Sequence, residues 1–329
     1  MAFDLNHGED QRQILDSASA MLESGYPVAR LREHARDDLS DIAGFGTFSL
    51  ALPEDAGGAG FSLVEEALVH VLLGRHLVST RALATSIAVR LAGELGRADL
   101  ASDAAAGDLS VCAALRHAGS VLLVDPAGAG FAVVFGDGKL GLVAVEPGAG
   151  EVLEGLGHGT PLTRISDNAA TAVGETGDGA LPDIADLLVS AQLLGIAEAS
   201  RDHAVSYARV RQQFGKPIGA FQAIKHRCAD MAIGAEMLSA QLDFAAIALR
   251  DGRDDAAFQV AALRLLAPQV ALANARASIQ IHGGIGFSAE ADAHHFLKQA
   301  HLLSRLGRAA PLLDLPAPLA PCSPLNERN

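Results

Sequence analysis

The chain has 329 residues, half of them apolar, enough to bury one sizeable core shared by two or three packed units. Its 25 Lys and Arg stand against 39 Asp and Glu, a formal charge of −14, which argues against a nucleic-acid or anionic-membrane surface, since such surfaces need clustered cations. With 4% aromatic residues, no Trp and two Tyr, the balance favours packed helices over sheets, and three widely spaced cysteines give neither a disulfide framework nor a zinc site.

The opening MAFDLNHGEDQRQ carries neither a basic n-region nor an apolar run, and no stretch of about 18 charge-free apolar residues follows; the expectation is a cytoplasmic protein without a membrane span. From Gly8 to about Ala106 the pattern is helical. Ile14, Ala18, Met21 and Leu22 form one apolar stripe, and Ser62 with Glu65 makes a capping box ahead of a helix over Ala67–Leu77. Between these helices, LALPEDAGGAG at Leu50 to Gly60 reads as a turn-rich loop. From Leu109 to Val173, short Val, Leu and Phe runs divided by glycines predict strands over 121–124, 131–135 and 140–145, with a hairpin turn at Gly136-Asp137-Gly138.

Long helices return after Pro182, with Asp183 as N-cap candidate. One helix spans about Ala220 to Arg250. Its apolar residues Ile224, Cys228, Met231, Ala235, Leu238, Leu242, Ala245 and Leu249 alternate spacings of four and three, the period of a left-handed bundle. A second, roughly Asp254 to Ile281, should pack beside it with a kink at Pro268. PLLDLPAPLAPCSPLNERN reads as an extended tail. Cys112 and Cys228 read as core thiols and Cys322 as a tail thiol. The domains expected are 1–107 helical, 108–176 β, 177–312 helical and 313–329 tail.

Two stretches suggest a ligand site. Arg211-Gln212-Gln213-Phe214-Gly215-Lys216-Pro217-Ile218, followed by Phe221-Gln222, sets a guanidinium, amides and an aromatic ring on a tight glycine turn, a set suited to a pyrophosphate and its sugar. A plain helix connection explains it equally well. Gln280-Ile281-His282-Gly283-Gly284-Ile285-Gly286-Phe287 ends a helix in glycines, which either let a ligand approach the backbone or simply cap the helix.

In this order and about 70 residues apart, the two stretches resemble the FAD-binding signatures of acyl-CoA dehydrogenases, and LPEDAGGAG resembles that family's N-terminal loop. The resemblance covers nearly the whole chain. It implies a mainly α protein with a small β domain: an N-terminal helical domain, a shortened middle β domain and a C-terminal four-helix bundle. It also implies FAD shared between two subunits, with Arg211, Gln213, Phe214 and Gln222 on its diphosphate side and Gln280, Gly283 and Gly284 on its adenosine side.

The family abstracts an α-proton with a glutamate, so a carboxylate base is indispensable. Alignment through Phe296-Leu297-Lys298-Gln299-Ala300 sets the usual glutamate on Gly307. The alternative glutamate, next to an arginine at the start of the first C-terminal helix, falls on Ala185, with Asp186 beside it reading as a helix-start carboxylate. Leu115-Arg116-His117-Ala118-Gly119-Ser120 replaces the loop that cradles the flavin ring. This pattern resembles the smaller subunit of bacterial heteromeric acyl-CoA dehydrogenases, known from actinobacterial steroid side-chain catabolism. It implies a larger paralogue as partner, two copies of each, bearing the catalytic Glu, with an acyl-CoA substrate and electron-transfer flavoprotein as acceptor. The alternatives are a self-sufficient homo-oligomeric dehydrogenase or monooxygenase, and a non-catalytic acyl-CoA-binding scaffold. His294, His295 and His301 read as a solvated helix face with no third metal ligand, and Glu198 and Asp202 as surface groups.

Overall fold

The computed structural model describes residues 8–308 apart from 34–35, 137, 156–159 and 178. The proposed tail 313–329, Cys322 and Asp137 therefore lie outside the described residues. Five helices come first: α1 (Glu9–Gly25), α2 (Ser40–Gly44), α3 (Leu63–Arg75), α4 (Thr80–Glu94) and α5 (Ala98–Ala106). The capping box forms as expected, with the Ser62 amide donating to Glu65 Oε2 at 2.9 Å and the Val64 amide to Ser62 Oγ at 3.2 Å. It starts α3 at Leu63, four residues before the expected position. Ala18 and Leu22 of the α1 stripe are fully buried, and Ile14 and Met21 are partly so. The 50–60 loop folds back on itself, the Gly60 amide donating to Leu52 O and the Phe61 amide to Leu50 O. A Cβ at Gly58 would collide with the Leu52 carbonyl.

Seven strands follow: β1 (Val111–His117), β2 (Ser120–Val124), β3 (Phe131–Gly136), β4 (Lys139–Val145), β5 (Glu151–Leu153), β6 (Leu162–Ser166) and β7 (Ala170–Thr176). They form one sheet in the order β5-β6-β2-β1-β3-β4-β7, antiparallel except for β1 beside β3. Alternation divides its faces. Val111, Ala113, Val133 and Phe135 join the main helical core, while Cys112, Ala114, Val121 and Val134 close a separate small core. β1, β5, β6 and β7 were not foreseen; β1 reads Val-Cys-Ala-Ala-Leu, and its alanines hide the strand signal. Residues 115–120 form a tight β1–β2 hairpin, with Ala118 and Gly119 both at positive φ and His117 paired to Ser120.

The remainder is helical: α6 (Leu181–Val210), a two-stranded hairpin of β8 (Gln212–Gln213) and β9 (Lys216–Pro217), α7 (Gln222–Arg250), α8 (Ala256–His282) and α9 (Ala293–Leu303). Met231, Ala235, Leu238, Leu242 and Ala245 of the α7 stripe are buried. α8 is assigned as one helix through Pro268. The N-cap expected at Asp183 is instead Ala180, because Pro182 fits the first turn, where its missing N–H has no partner to lose.

α3 and α6 touch backbone to backbone. A Cβ at Gly74 would fall on the Gln192 carbonyl oxygen and one at Gly195 on that of Val71. Next to this crossing, Arg90 Nη1 donates to the buried Glu66 at 2.9 Å, and His70 Nδ1 lies 3.2 Å from Gln192 Nε2. Burial, aided by the Arg90 charge, pushes the His70 imidazole down from 6.5 to about 3. An unfolded chain therefore binds a proton here that the folded one refuses, so the stability His70 supports is intact above pH 6.5 and is lost as pH falls toward 3. Going from pH 8 to pH 5 should cost about 2 kcal/mol more in the natural protein than in His70→Gln, measured by chemical denaturation. Equal pH dependence in the two would refute this.

Candidate functional site

α6 ends at Val210 because Arg211 turns extended, its amide still donating to Tyr207 O at 2.9 Å. The chain then makes the β8–β9 hairpin, closes it with the Ile218 amide donating to Arg211 O at 2.8 Å, and caps α7 with Phe221. α8 ends nearby. Gly283, at φ +66° and ψ −141°, adopts a backbone conformation that side chains disfavour, and Gly286 packs so that a Cβ would meet Ile279 O at 2.7 Å. A Cβ at Gly283 or Gly284 would meet nothing within 4 Å, so this backbone stands open to an approaching group.

The two ends line one open groove of about 560 Å³, within the size range of ligand sites. Arg211, Gln213, Phe214, Gln280, Gly283 and Gly284 all border it. Gln222 does not; it stands exposed as the first residue of α7. Tyr207 and His282, stacked on each other at 4.3 Å, form part of the groove wall, and Ile218 and Ile281 supply buried apolar surface. Sequence reasoning missed Tyr207, although it lies one helical turn before Arg211 and so on the same side of α6. Arg211 is exposed and makes no ion pair among the described residues. The groove thus offers an uncommitted guanidinium, amide side chains, open glycine backbone and ring faces, a set that suits a diphosphate joined to a flat heterocycle.

The two positions expected for a base meet at the other end of α6. Ala185 and Gly307, 122 residues apart in sequence, border one cavity of about 10 Å³, which holds about one water and no thioester. Phe135, Gly136, Lys139 and Leu140 of the β3–β4 hairpin fill the space beside it. A Cβ on Gly307 would collide with Asp186 Oδ1 and approach Arg264 Nε to 3.2 Å.

Asp186, expected as a helix-start carboxylate, lies beyond the first turn. It is buried in the second turn of α6, accepting from Arg308 Nε at 2.6 Å and from the Arg308 amide at 3.0 Å. Arg264, 4% exposed, stands 3.7 Å away and donates to the carbonyls of Ser304 at 2.9 Å and Leu306 at 2.6 Å. Burial pushes the Asp186 carboxyl up, and Arg308 opposes it. With both oxygens held by Arg308, this carboxylate is not free to reach a substrate.

Glu198 and Asp202 are also committed. Each accepts from Arg75 at 2.7 Å, tying α6 to α3, and Arg201 Nε donates to Asp202 at 2.9 Å. Burial acts to raise the Asp202 carboxyl, but the hydrogen bonds from Arg201 and Arg75 outweigh it and hold it low. The expected surface groups are thus half-buried and tied into structural ion pairs. The His294 and His295 rings lie 4.1 Å apart, and among the described residues no three such side chains are grouped to hold a metal ion.

Comparison with known proteins agrees with the architecture. The family model for the acyl-CoA dehydrogenase N-terminal domain matches residues 8–105, and that for the acyl-CoA dehydrogenase C-terminal domain matches 185–307, flanking the sheet. The acyl-CoA dehydrogenase FadE34 of Mycobacterium tuberculosis is 35% identical over 285 residues, which are 81% of this chain but 39% of that relative. The acyl-CoA dehydrogenase IpdE2 of Mycolicibacterium smegmatis is 30% identical, with 78% of each chain matched. Among solved structures, the steroid ACAD Tcur3481-Tcur3483, in a variant form, superposes with TM-score 0.75 at 25% identity over 90% of this chain and 93% of that one. The ChsE4-ChsE5 complex from Mycobacterium tuberculosis shares the fold with TM-score 0.72 at 22% identity, over 92% and 94% of the two chains.

Removing the buried carboxylate in Asp186→Ala would take from Arg264 the carboxylate 3.7 Å away and leave Arg308 with Asp183 alone. The expected loss, read from denaturant midpoints, is about 3 to 5 kcal/mol. A loss below about 1 kcal/mol would show that Asp186 does not hold these guanidinium groups.

Proposed function

The chain belongs to the acyl-CoA dehydrogenase family, oxidoreductases that act on acyl-CoA with FAD, and on that premise we propose that it is the half-site subunit of a heteromeric enzyme. It supplies the FAD diphosphate and adenosine contacts, and a larger paralogue supplies the flavin-ring pocket and the catalytic glutamate. The observation that carries this reading is the contrast between the two ends of α6. One end bears an open groove beside Arg211, which makes no ion pair among the described residues; the other bears a 10 Å³ cavity bordered by the Asp186–Arg308 pair.

The 26 residues from Ala185 to Arg211 separate those ends by about 40 Å along the helix axis. A dinucleotide gripped at Arg211 therefore has its reacting end on another chain. FAD, when bound, supplies a hydride acceptor. The residues here that fit it are Arg211 and Gln213 at the diphosphate, and Gln280 with the open Gly283 and Gly284 backbone at the adenosine. Among the described residues, neither Ala185 nor Gly307 offers a side chain that could take a proton, and their cavity is far smaller than a flavin ring.

Two further observations support a partner. Ile233, Met237 and Phe244 project from α7 as exposed apolar groups at spacings of four and seven, along one side of the helix. The match to FadE34 covers 39% of that relative, so it contains more than 400 residues besides, enough for a second unit of this kind. Two of each subunit, electron-transfer flavoprotein as acceptor and a cytoplasmic setting complete the proposal. A steroid side-chain CoA is its proposed substrate, supported by likeness to a structure described as a steroid ACAD.

Arg211→Ala tests the assignment. In the complex with its partner, flavin titration should show FAD affinity reduced by about 2 to 3 kcal/mol, because a buried anionic group loses a charged donor. Unchanged affinity would remove Arg211 from the site.

A further inference from the structure

The β8–β9 hairpin that carries Gln213 has an uneven support. Its turn runs through Phe214 at φ +52° and Gly215 at φ +75°, the two-residue geometry with both φ positive that favours Asn, Asp and Gly at its first position. A phenylalanine there strains the backbone, and its ring is 90% exposed. The base of the hairpin is well anchored by the Ile218 amide bonded to Arg211 O and by the buried Ile218 side chain. Residues 211–217, in contrast, are all exposed.

What reaches the tip is aromatic. The Phe214 ring meets Phe221 edge-on, with centroids 6.0 Å apart and planes at 87°, and Lys216 Nζ stands 4.5 Å from the centre of the Phe221 ring. Phe221 is itself fixed as the N-cap of α7, packed in the cluster that holds Ile218 and Tyr207. Lys216, Phe221 and Phe214 therefore clip the outer strand and turn to the start of α7. Lys216 does not border the groove, whereas Arg211, Gln213 and Phe214 do.

We infer that Lys216 and Phe221 are positioning residues, whose cation–π contact holds the hairpin where Arg211 and Gln213 face the groove. This rests on the half-site reading above. A hairpin already ordered loses less freedom when a ligand binds, so the clip raises affinity without touching the ligand.

The test uses the full chain with two readouts: amide hydrogen exchange at Ile218, and ADP binding by equilibrium dialysis. In Lys216→Met, Ile218 exchange should speed up about two- to five-fold and ADP affinity should fall by a similar factor, the size of an exposed cation–π contact. Lys216→Arg, which keeps the charge over the ring, should behave as the natural protein in both. Unchanged exchange in Lys216→Met overturns the clip. Weaker ADP binding with unchanged exchange does so too, since Lys216 would then act on the phosphates directly. Arg211→Ala separates the two ideas: if it leaves ADP binding intact the half-site reading fails, while the exchange at Ile218 still decides the clip.

Discussion

The backbone contact between α3 and α6 fixes where both ends of α6 lie. Gly74 and Gly195 allow carbonyl groups of one helix to sit where a side chain of the other would be, and close packing leaves no slack around them. The Arg75 links to Glu198 and Asp202 hold the same two helices, and the Glu66–Arg90 pair beside the crossing ties α3 to α4. α6 is a 30-residue helix, about 45 Å long, seated along its middle on the N-terminal helices. Its two ends present the surfaces on which function depends.

At the first end, charge has been spent on structure. A family dehydrogenase needs a carboxylate with access to an α-carbon, and such access requires space. Here Asp186 is enclosed by Arg308 and Arg264, Asp183 is bound to Arg308 as well, and the backbone at Gly307 rests against Asp186. At the second end the balance is reversed. Arg211 makes no ion pair among the described residues, and the glycine backbone stands open. A buried guanidinium is committed to the partners that offset its desolvation; an exposed one with no ion pair among the described residues, beside an open groove, is available to a ligand.

Much of this was legible in the sequence, for reasons that differ by residue. The α7 stripe and the Ser62–Glu65 box are local patterns, set by helix periodicity and capping chemistry, and the structure reproduces both. The meeting of Arg211 with Gly283 and Gly284 came from motif resemblance, since no local rule joins residues 70 positions apart. Asp186 was misread because its burial depends on Arg308, 122 residues later. Tyr207 lay within reach of helix register and was overlooked. β1 escaped because its strand character comes from neighbours on both sides, not from its own alanines.

The proposed division of the flavin site gives one chain only one half of it. It is tested most directly by the flavin content of the protein purified alone and after co-expression with a larger acyl-CoA dehydrogenase paralogue, read from the visible absorbance spectrum against protein concentration. The account predicts an essentially colourless chain alone, and a yellow complex with one FAD for each unlike pair. Stoichiometric, tightly bound FAD on the isolated chain would contradict it.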